Sequence, residues 1–470
     1  MIRIFNQEVS PKSMLLVVFE GAFIVFGLVC GARLRFWSNT TEFHSYVQAP
    51  EFALQALIFV ITLQVCFYYS DLYDLRVLRC NRDQLVSVGQ SLGAACLLLG
   101  LMYFVFPPLL IGRGVFFIST AVVAAFVFML RALLDRAWQV AAPKQKILIL
   151  GSQELAVTAA TELMERDDLH LEVIGFLDSG SNGSHAEPSG IHGSRILGKL
   201  DDLEMVVKKH HVTRIVVAIE DRRGALPIRD LVSLRVQGIR VEDVHTTVAA
   251  LSGRIWLNMV RPSWFIFSEG FHRARITLAL KRMLDLSCGL IGLMVSLPVM
   301  LLVAMAVRLD SRGPVIFSQT RVGLKGKCFE LKKFRSMRTD AEAGTGAQWA
   351  QQNDSRVTRV GKYLRKYRLD ELPQFVNVIR GEMSFVGPRP ERPVFVDQLR
   401  DLISYYDERH SVRPGLTGWA QVQYAYGASV QDACRKLEYD LFYLKNMSLI
   451  FDMVIILKTI RIMLTGKGGR

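Results

Sequence analysis

Four apolar runs ahead of Arg136, each close to the length of a bilayer-crossing helix, constrain this chain more than any other feature. They cover Met14–Leu34, Phe52–Tyr69, Val86–Leu110 and Val115–Leu134. About 20 apolar residues cross a hydrocarbon core, and backbone groups there must be satisfied within the segment, so each run is expected to be a helix. The first lacks a small-x-small cleavage site and reads as a retained helix, not a removed leader. The distribution of Lys and Arg sets the orientation. Arg76, Arg79 and Arg82 separate the second and third runs, and Arg131, Arg136, Lys144 and Lys146 end or follow the fourth. Residues 36–51 carry none, and Arg113 is alone in the third connection. The expected topology is a cytoplasmic N-terminus, four crossings and a return to the cytoplasm. Arg33 and Arg35, at the outer end of the first helix, run against the rule.

From Lys146 the pattern becomes that of an α/β domain. Lys146–Leu150, Val173–Leu177 and Arg214–Ala218 read as strands, with helices from after Gly151 to Arg166 and around Leu200–His210. This alternation suggests a parallel, Rossmann-like sheet. Gly151-Ser152-Gln153-Glu154-Leu155-Ala156 keeps only the first glycine of the dinucleotide fingerprint. Nucleotide binding and a structural, regulatory or oligomerisation role therefore both stay open. Residues 179–194 are Gly/Ser-rich and read as a loop. An aromatic and basic connector follows, with Trp256, Trp264, Phe265, Phe267, Phe271, Arg273 and Arg275, suited to a bilayer interface or to a partly buried linker.

A fifth apolar run, Met283–Val307, has Lys281 and Arg282 before it and Arg308, Arg312 and Arg321 after it. Basic residues at both ends, and Pro298 near the middle, point to a helix–break–helix that enters one leaflet and returns, with Ser296 bonding to the freed backbone. A kinked spanning helix is the alternative. The rest of the chain is strongly basic, within a net charge of +14. That balance implies an anionic partner: a phosphorylated substrate, lipid headgroups or nucleic acid. No recognisable module interleaves stacking aromatics with the basic runs, so nucleic acid is not expected. The basic helix expected over Val357–Leu369 suits anionic lipid or a diphosphate. Leu449–Leu464 reads as an interfacial helix. The seven cysteines form no CxxC or Cys/His cluster, which argues against a disulfide framework or a zinc site.

Asp370 and Glu371 precede Pro373, and Phe375, Val376 and Ile379 follow at helical spacing up to Gly381. Pro favours a first helical turn and Gly a stop, so both carboxylates are expected at a helix N-terminus, whose N–H groups would keep them ionised.

Five motifs resemble the bacterial sugar transferase family, the polyprenyl-phosphate glycosyl-1-phosphate transferases. They are Val315–Gly323 (VIFSQTRVG), Lys333–Met337 (KFRSM), Asp370–Gln374 (DELPQ), Met383–Pro390 (MSFVGPRP) and Val412–Val422 (VRPGLTGWAQV). The N-terminal helices and the Rossmann-like segment resemble the large form of that family, found in exopolysaccharide and capsule assembly. Two departures stand out. Leu297 precedes Pro298 where relatives often have Ser, and Gln423-Tyr424-Ala425-Tyr426-Gly427 stands where many continue Asn-Gly.

The resemblance implies a multi-pass protein of the bacterial inner membrane with its catalytic domain on the cytoplasmic face. It implies transfer of a sugar 1-phosphate from a UDP-sugar, glucose before galactose, to undecaprenyl phosphate, with release of UMP and Mg²⁺ as cofactor. Asp370 would be the nucleophile, forming a phosphosugar–aspartate intermediate, and Glu371 would hold the metal. Arg389 would contact the donor phosphates, with Lys333, Arg335 and Arg413 as further phosphate contacts. A single-step transfer with Asp370 as metal ligand, and a non-catalytic membrane scaffold or nucleotide sensor, are the alternative functions. The implied fold class is a membrane α-helical bundle (residues 1–140), an α/β Rossmann-like domain (141–255), a connector (256–275) and a mainly helical α+β catalytic domain (276–470) on a re-entrant helix near 281–309. Inner-membrane lipids are implied partners, and a homo-oligomer is a further expectation.

Overall fold

The computed structural model describes residues 2–4, 7–9, 11–70, 72–73, 81–141, 144–178, 196–219, 226–257, 262–268, 270–271, 274–338, 356–424, 427 and 429–465. The expected loop at 179–194 and the basic residues Arg76, Arg79 and Arg273 lie outside them. The chain divides into two compact units, Met1–Thr247 and Val248–Arg470.

The first unit opens with a small antiparallel pair, β1 (Ile2–Ile4) and β2 (Gln7–Val9), followed by α1 (Pro11–Arg35), α2 (Thr40–Gln48), α3 (Phe52–Tyr69), α4 (Asn81–Val105) and α5 (Arg113–Ala141). Helices α1, α3, α4 and α5 contain stretches long and apolar enough to cross a membrane. Pro107 and Pro108 form a short 3₁₀ turn, so α4 ends before the expected Leu110. The polar helix α2 was not expected; the Asn39 side chain caps it by accepting from Glu42 N.

Helices α1 and α5 pack closely because Gly27 and Gly31, four residues apart, lie against Val123 and Ser119, where a Cβ would collide. Small residues at this spacing drive association in lipid, where burial from water contributes little. Between the same helices, Arg131 Nη2 lies 2.6 Å from Glu20 Oε1, both side chains being buried. Arg131 Nη1 also donates to Leu72 O at 2.9 Å. Arg33, which runs against the charge rule, donates to Phe36 O and Trp37 O beyond the end of α1 and lies over the rings of Trp37 and Phe43. It is thereby held by the helix C-terminus and by aromatic faces.

A five-stranded parallel sheet follows, built from β3 (Gln145–Leu150), β4 (Leu171–Asp178), β5 (Ile196–Lys199), β6 (Arg214–Val217) and β7 (Arg240–Asp243) in the order β5-β4-β3-β6-β7. Helices α6 (Glu154–Met164), α7 (Leu203–His210) and α8 (Ile228–Val236) form the crossovers. The buried β3 and β6 correspond to sequence runs that could be read. The edge strands β5 and β7 were missed because they are short and include Gly198, Lys199, Glu242 and Asp243.

After α9 (Val244–Ser252), residues 253–257 belong to the second unit, earlier than the expected boundary at 255. Glu438 holds them: it accepts from Arg254 Nη1 at 2.9 Å and Leu257 N at 3.3 Å, while its carbonyl accepts from Ile255 N. The unit continues through α10 (Pro262–Phe267), α11 (Arg275–Asp310), the antiparallel hairpin β8 (Ile316–Val322) and β9 (Cys328–Phe334), α12 (Arg359–Lys366) and α13 (Gln374–Arg380). Next come β10 (Ser384–Val386), α14 (Pro393–Leu402), β11 (Gly415–Thr417), α15 (Trp419–Gln423), α16 (Val430–Lys445) and α17 (Leu449–Thr465). Strands β10 and β11 pair in parallel.

Helix α11 is one continuous element through Pro298, where a break was expected. Ser296 Oγ donates to Leu293 O, one residue away from the Met294 carbonyl that Pro298 leaves without a donor. Its middle, including Leu290, Ile291, Met294, Val295, Leu301 and Leu302, is exposed and apolar. Its flanks are anchored. Lys281 Nζ lies 2.6 Å from Asp452 Oδ2 of α17 and donates to Val386 O at 3.0 Å. Asp285 Oδ1 accepts from Ser384 Oγ and Phe385 N. Near the other end, Val303 and Val307 pack with Phe334, Leu364, Val360 and Leu369.

Candidate active site

The Asp370–Glu371 pair lies in a 3₁₀ turn, Leu369–Glu371, between α12 and α13. Thr358 starts α12 by accepting from Gly361 N at 3.0 Å. Its apolar face, Val360 and Leu364, is completed by Leu369, whereas Tyr367 is exposed. Arg368 then takes a left-handed conformation, φ 54°, which ends α12 and turns the chain into the acidic pair. Such a backbone is unfavourable for a residue with a Cβ and is retained where a site needs it.

Helix α13 begins at Gln374 and ends, as expected, at Gly381 with φ 82°. Arg282 Nη1 and Nη2 donate to Val378 O and Ile379 O at 2.7 and 2.8 Å, capping its C-terminal carbonyls. Gly292 admits the Phe375 ring at a distance that a side chain there would close to 2.8 Å. The acidic turn is thus fixed from both sides.

The expectation that helix N–H groups hold both carboxylates ionised is corrected. The first N–H groups of α13 are occupied locally: Phe375 N donates to Leu372 O and Val376 N to Pro373 O. Cationic side chains surround the pair instead. Arg389 Nη2 lies 2.8 Å from Glu371 Oε1. Burial opposes the charge on Glu371, but Arg389, Arg368 and Lys333 hold its carboxyl below the usual range. Asp370 goes the other way: burial and the neighbouring Glu371 charge push it up to about 6, against Lys333, Arg365 and Arg389. Lys333 is pushed down to about 8 by burial and by Arg321. The ammonium also lies 5.3 Å from the Phe317 ring centroid, across the β8–β9 hairpin. At neutral pH the site therefore combines a half-buried carboxylate of raised basicity, an ionised neighbour and several cations.

Arg389 reaches this turn because two motifs interlock. Ser384 and Val386 of β10 pair with Gly415 and Thr417 of β11. Gly387 and Gly415 approach so closely that a Cβ on either would strike the other segment's backbone. Only glycine allows that approach, which accounts for both the VGPRP and the RPGLTG spacing.

Of the sequence-derived site residues, the structure brings together Asp370, Glu371, Lys333 and Arg389. Arg335 is placed elsewhere: it is buried, and its Nη2 donates to Ser311 O at 2.6 Å and Ser311 Oγ at 2.9 Å beyond the end of α11. Arg413 Nε donates to Gly381 O at 3.0 Å, stabilising the turn after α13. Arg335 thus carries a structural bond where a phosphate contact was expected, while Arg413 is anchored through its Nε. Arg365 and Arg368, read from sequence only as part of a basic run, act directly on the acidic pair. Their position after a helix cap and beside the DELPQ motif was the available signal.

No group of three or more His, Cys, Asp or Glu side chains suited to a metal occurs among the described residues. Two carboxylates with no histidine or thiol fit Mg²⁺, which commonly takes one or two carboxylates and completes its shell with water and substrate phosphates.

Comparison with known proteins agrees with this division. A bacterial sugar transferase model matches residues 276–466, and a CoA-binding domain model matches residues 68–235. The chain is 50% identical over 191 residues to a UDP-N-acetylgalactosamine-undecaprenyl-phosphate N-acetylgalactosaminephosphotransferase of Aeromonas hydrophila, covering 41% of this chain and 45% of that protein. It is 33% identical over 357 residues to a UDP-glucose:undecaprenyl-phosphate glucose-1-phosphate transferase of Klebsiella pneumoniae, covering 74% of each. A protein of the same description from Xanthomonas campestris is 27% identical over 481 residues, 98% of this chain and 96% of its own. The chain thus spans less than half of the Aeromonas relative and nearly all of the Xanthomonas one. Its motifs, catalytic unit and long-range similarity place it in the bacterial sugar transferase family.

Proposed function

We propose that this chain transfers a sugar 1-phosphate from a UDP-sugar to undecaprenyl phosphate, releasing UMP, as a first membrane step of exopolysaccharide or capsule synthesis. The observation that carries this reading is the Asp370–Glu371 turn under the charges of Lys333, Arg365, Arg368 and Arg389. Phosphoryl transfer depends chiefly on positioning and on cancelling negative charge, and these side chains supply both. A carboxylate oxygen of Asp370 attacks the phosphorus that carries the sugar. The bond from that phosphorus to the bridging oxygen breaks, and UMP leaves. An oxygen of the lipid phosphate then attacks the same phosphorus and frees the Asp370 carboxylate. The raised basicity of Asp370 suits a nucleophile that is still ionised at neutral pH. Arg389 exchanges its bond to Glu371 for the donor phosphates, and Lys333 neutralises charge beside Asp370. Mg²⁺ bound at Glu371 would supply further neutralisation of the diphosphate.

The site works at the surface of the inner membrane, on the cytoplasmic side, with α11 bent at Pro298, without a break in the helix, so that it enters and leaves one leaflet. Support comes from its flanks: residues 281–292 pack on α13, β10 and α17, while residues 303–310 pack on β9 and α12. A straight helix of this length would extend ~54 Å, yet both flanks meet one small unit. Glucose is the leading donor. N-acetylgalactosamine, named for the Aeromonas relative, is the second candidate because that relative matches over the catalytic unit.

The test is UMP release by the purified full-length protein with undecaprenyl phosphate, Mg²⁺ and a panel of UDP-glucose, UDP-galactose and UDP-N-acetylgalactosamine. Release from one donor, its loss on chelation and a phosphosugar trapped on the protein without acceptor support the covalent route. Sequential kinetics without a trapped species favour single-step transfer, and no release from any donor favours a scaffold or sensor.

A further inference from the structure

The Pro388–Arg389–Pro390 backbone is held by its carbonyls, since two of its three residues have no N–H. Gly415 N donates to Pro388 O at 2.9 Å. Arg409 Nη2 donates to Arg389 O at 3.0 Å. Arg321 Nη1 donates to Pro390 O at 3.0 Å. The middle bond is of particular interest because Arg409 lies outside the family motifs and its side chain is buried.

Arg409 is oriented by two groups that are themselves buried. Its Nη1 donates to Tyr406 OH at 2.7 Å, and its Nη2 lies 2.9 Å from Asp440 Oδ2 of α16. Its guanidinium also lies 5.2 Å from the Tyr406 ring centroid. A planar guanidinium can serve a carboxylate, a hydroxyl and a carbonyl in fixed directions, whereas an ammonium gives the charge without the fork. Burying an ion pair is weak support for stability, because both groups lose their hydration. Here the pair terminates on the one carbonyl between the two prolines, that of the residue aimed at Glu371.

We propose that Arg409 is a positioning residue for Arg389: anchored by Asp440 and Tyr406, it fixes the Arg389 carbonyl and so directs the Arg389 side chain to Glu371 and the donor phosphates. This rests on the reading that Arg389 grips the donor. Arg409 touches neither substrate nor the reacting atoms, and its influence passes through one backbone carbonyl.

A double-mutant cycle on the full chain tests this, with Arg409→Lys and Arg389→Ala made singly and together. The readouts are UDP affinity by calorimetry in Mg²⁺ and kcat/KM for UMP release. Arg409→Lys alone is expected to reduce both about 10- to 100-fold, the range for losing a charge-assisted phosphate contact. In the Arg389→Ala background the same change is expected to cost less than about twofold, because the side chain it positions is gone. Tyr406→Phe, which keeps the ring, is expected to follow the same pattern with a smaller loss, and it carries the cycle if Arg409→Lys fails to fold. Losses that multiply across the cycle in an active wild type overturn the positioning role alone. A wild type that releases no UMP overturns the functional reading and this inference with it.

Discussion

Replacing Asp370 with asparagine separates the electrostatics of the site from its chemistry. Burial and the Glu371 charge lift the Asp370 carboxyl from 3.8 to about 6. A group whose pKa rises on folding binds its proton more tightly in the folded protein. Its favourable contribution is complete below the unfolded value and is lost as pH rises through the folded one. About two pKa units at 1.36 kcal/mol each mean that, near pH 8, holding this carboxylate charged costs the folded protein ~3 kcal/mol. Near pH 5 the cost falls to about half, because the folded group is then mostly protonated. Asparagine is neutral at both values and avoids the penalty. In metal-free buffer near pH 8 the Asp370→Asn protein should therefore unfold ~6–12 °C above the wild type, taking ~2–4 °C per kcal/mol for a unit of this size. Calorimetry of the detergent-solubilised full chain measures the shift, and UMP release should be abolished in the same sample. Adding Mg²⁺ should narrow the gap, since a cation offsets the charge that only the wild type carries. Equal or lower stability of the variant near pH 8, or a gap that widens towards acid, would refute the reasoning.

Three further outcomes are expected. The pH profile of kcat/KM should be bell-shaped, rising as Asp370 ionises through about 6 and falling as Lys333 loses its proton through about 8; a flat profile across that span excludes these roles. Lys281→Met should cost about 3–5 kcal/mol in thermal unfolding by leaving Asp452 buried without its cation, and Lys281→Met with Asp452→Leu should recover most of it. Gly415→Ala should lose more than about 2 kcal/mol, because the new Cβ meets the Gly387 backbone; recovery of fully stable protein would show that the β10–β11 pair can separate without penalty.

Much of the membrane part was legible because its physics is one-dimensional. Length and polarity locate α1, α3, α4 and α5 without knowledge of their partners. The polar helix α2 and the edge strands β5 and β7 lack that signal. Lys146–Leu150 and Arg214–Ala218 could be read as strands because short, mostly apolar runs mark strands buried on both faces, and β3 and β6 are largely buried. In the catalytic unit, motif resemblance singled out Asp370, Glu371, Lys333 and Arg389, and the fold places them together. Resemblance could not tell Lys333 from Arg335, two residues away, since only the fold puts one beside Asp370 and the other beyond the end of α11. The acidic pair was read correctly as preceding a helix. What keeps its charges is different, because the first N–H groups of the helix are bonded locally and cationic side chains take their place, Arg365 and Arg368 from the preceding turn and Lys333 and Arg389 from elements distant in sequence.

The Glu20–Arg131 pair joins the first and last helices of the N-terminal bundle, and it bears on how the chain is made. On the ribosome, α1 emerges with its carboxylate long before Arg131 exists. Glu20 lies about two turns into its apolar stretch, Ser13–Arg35, and Arg131 within the last turn of its own, Arg113–Leu134, so the pair sits towards the end of the bundle where the basic residues gather, and an unpaired charge there costs less than at a helix centre. Gly27 and Gly31 allow the close approach that brings the charges together. The last contact of the bundle to form in synthesis is thus one between its first helix and its last, and the two charges are buried only when that contact closes.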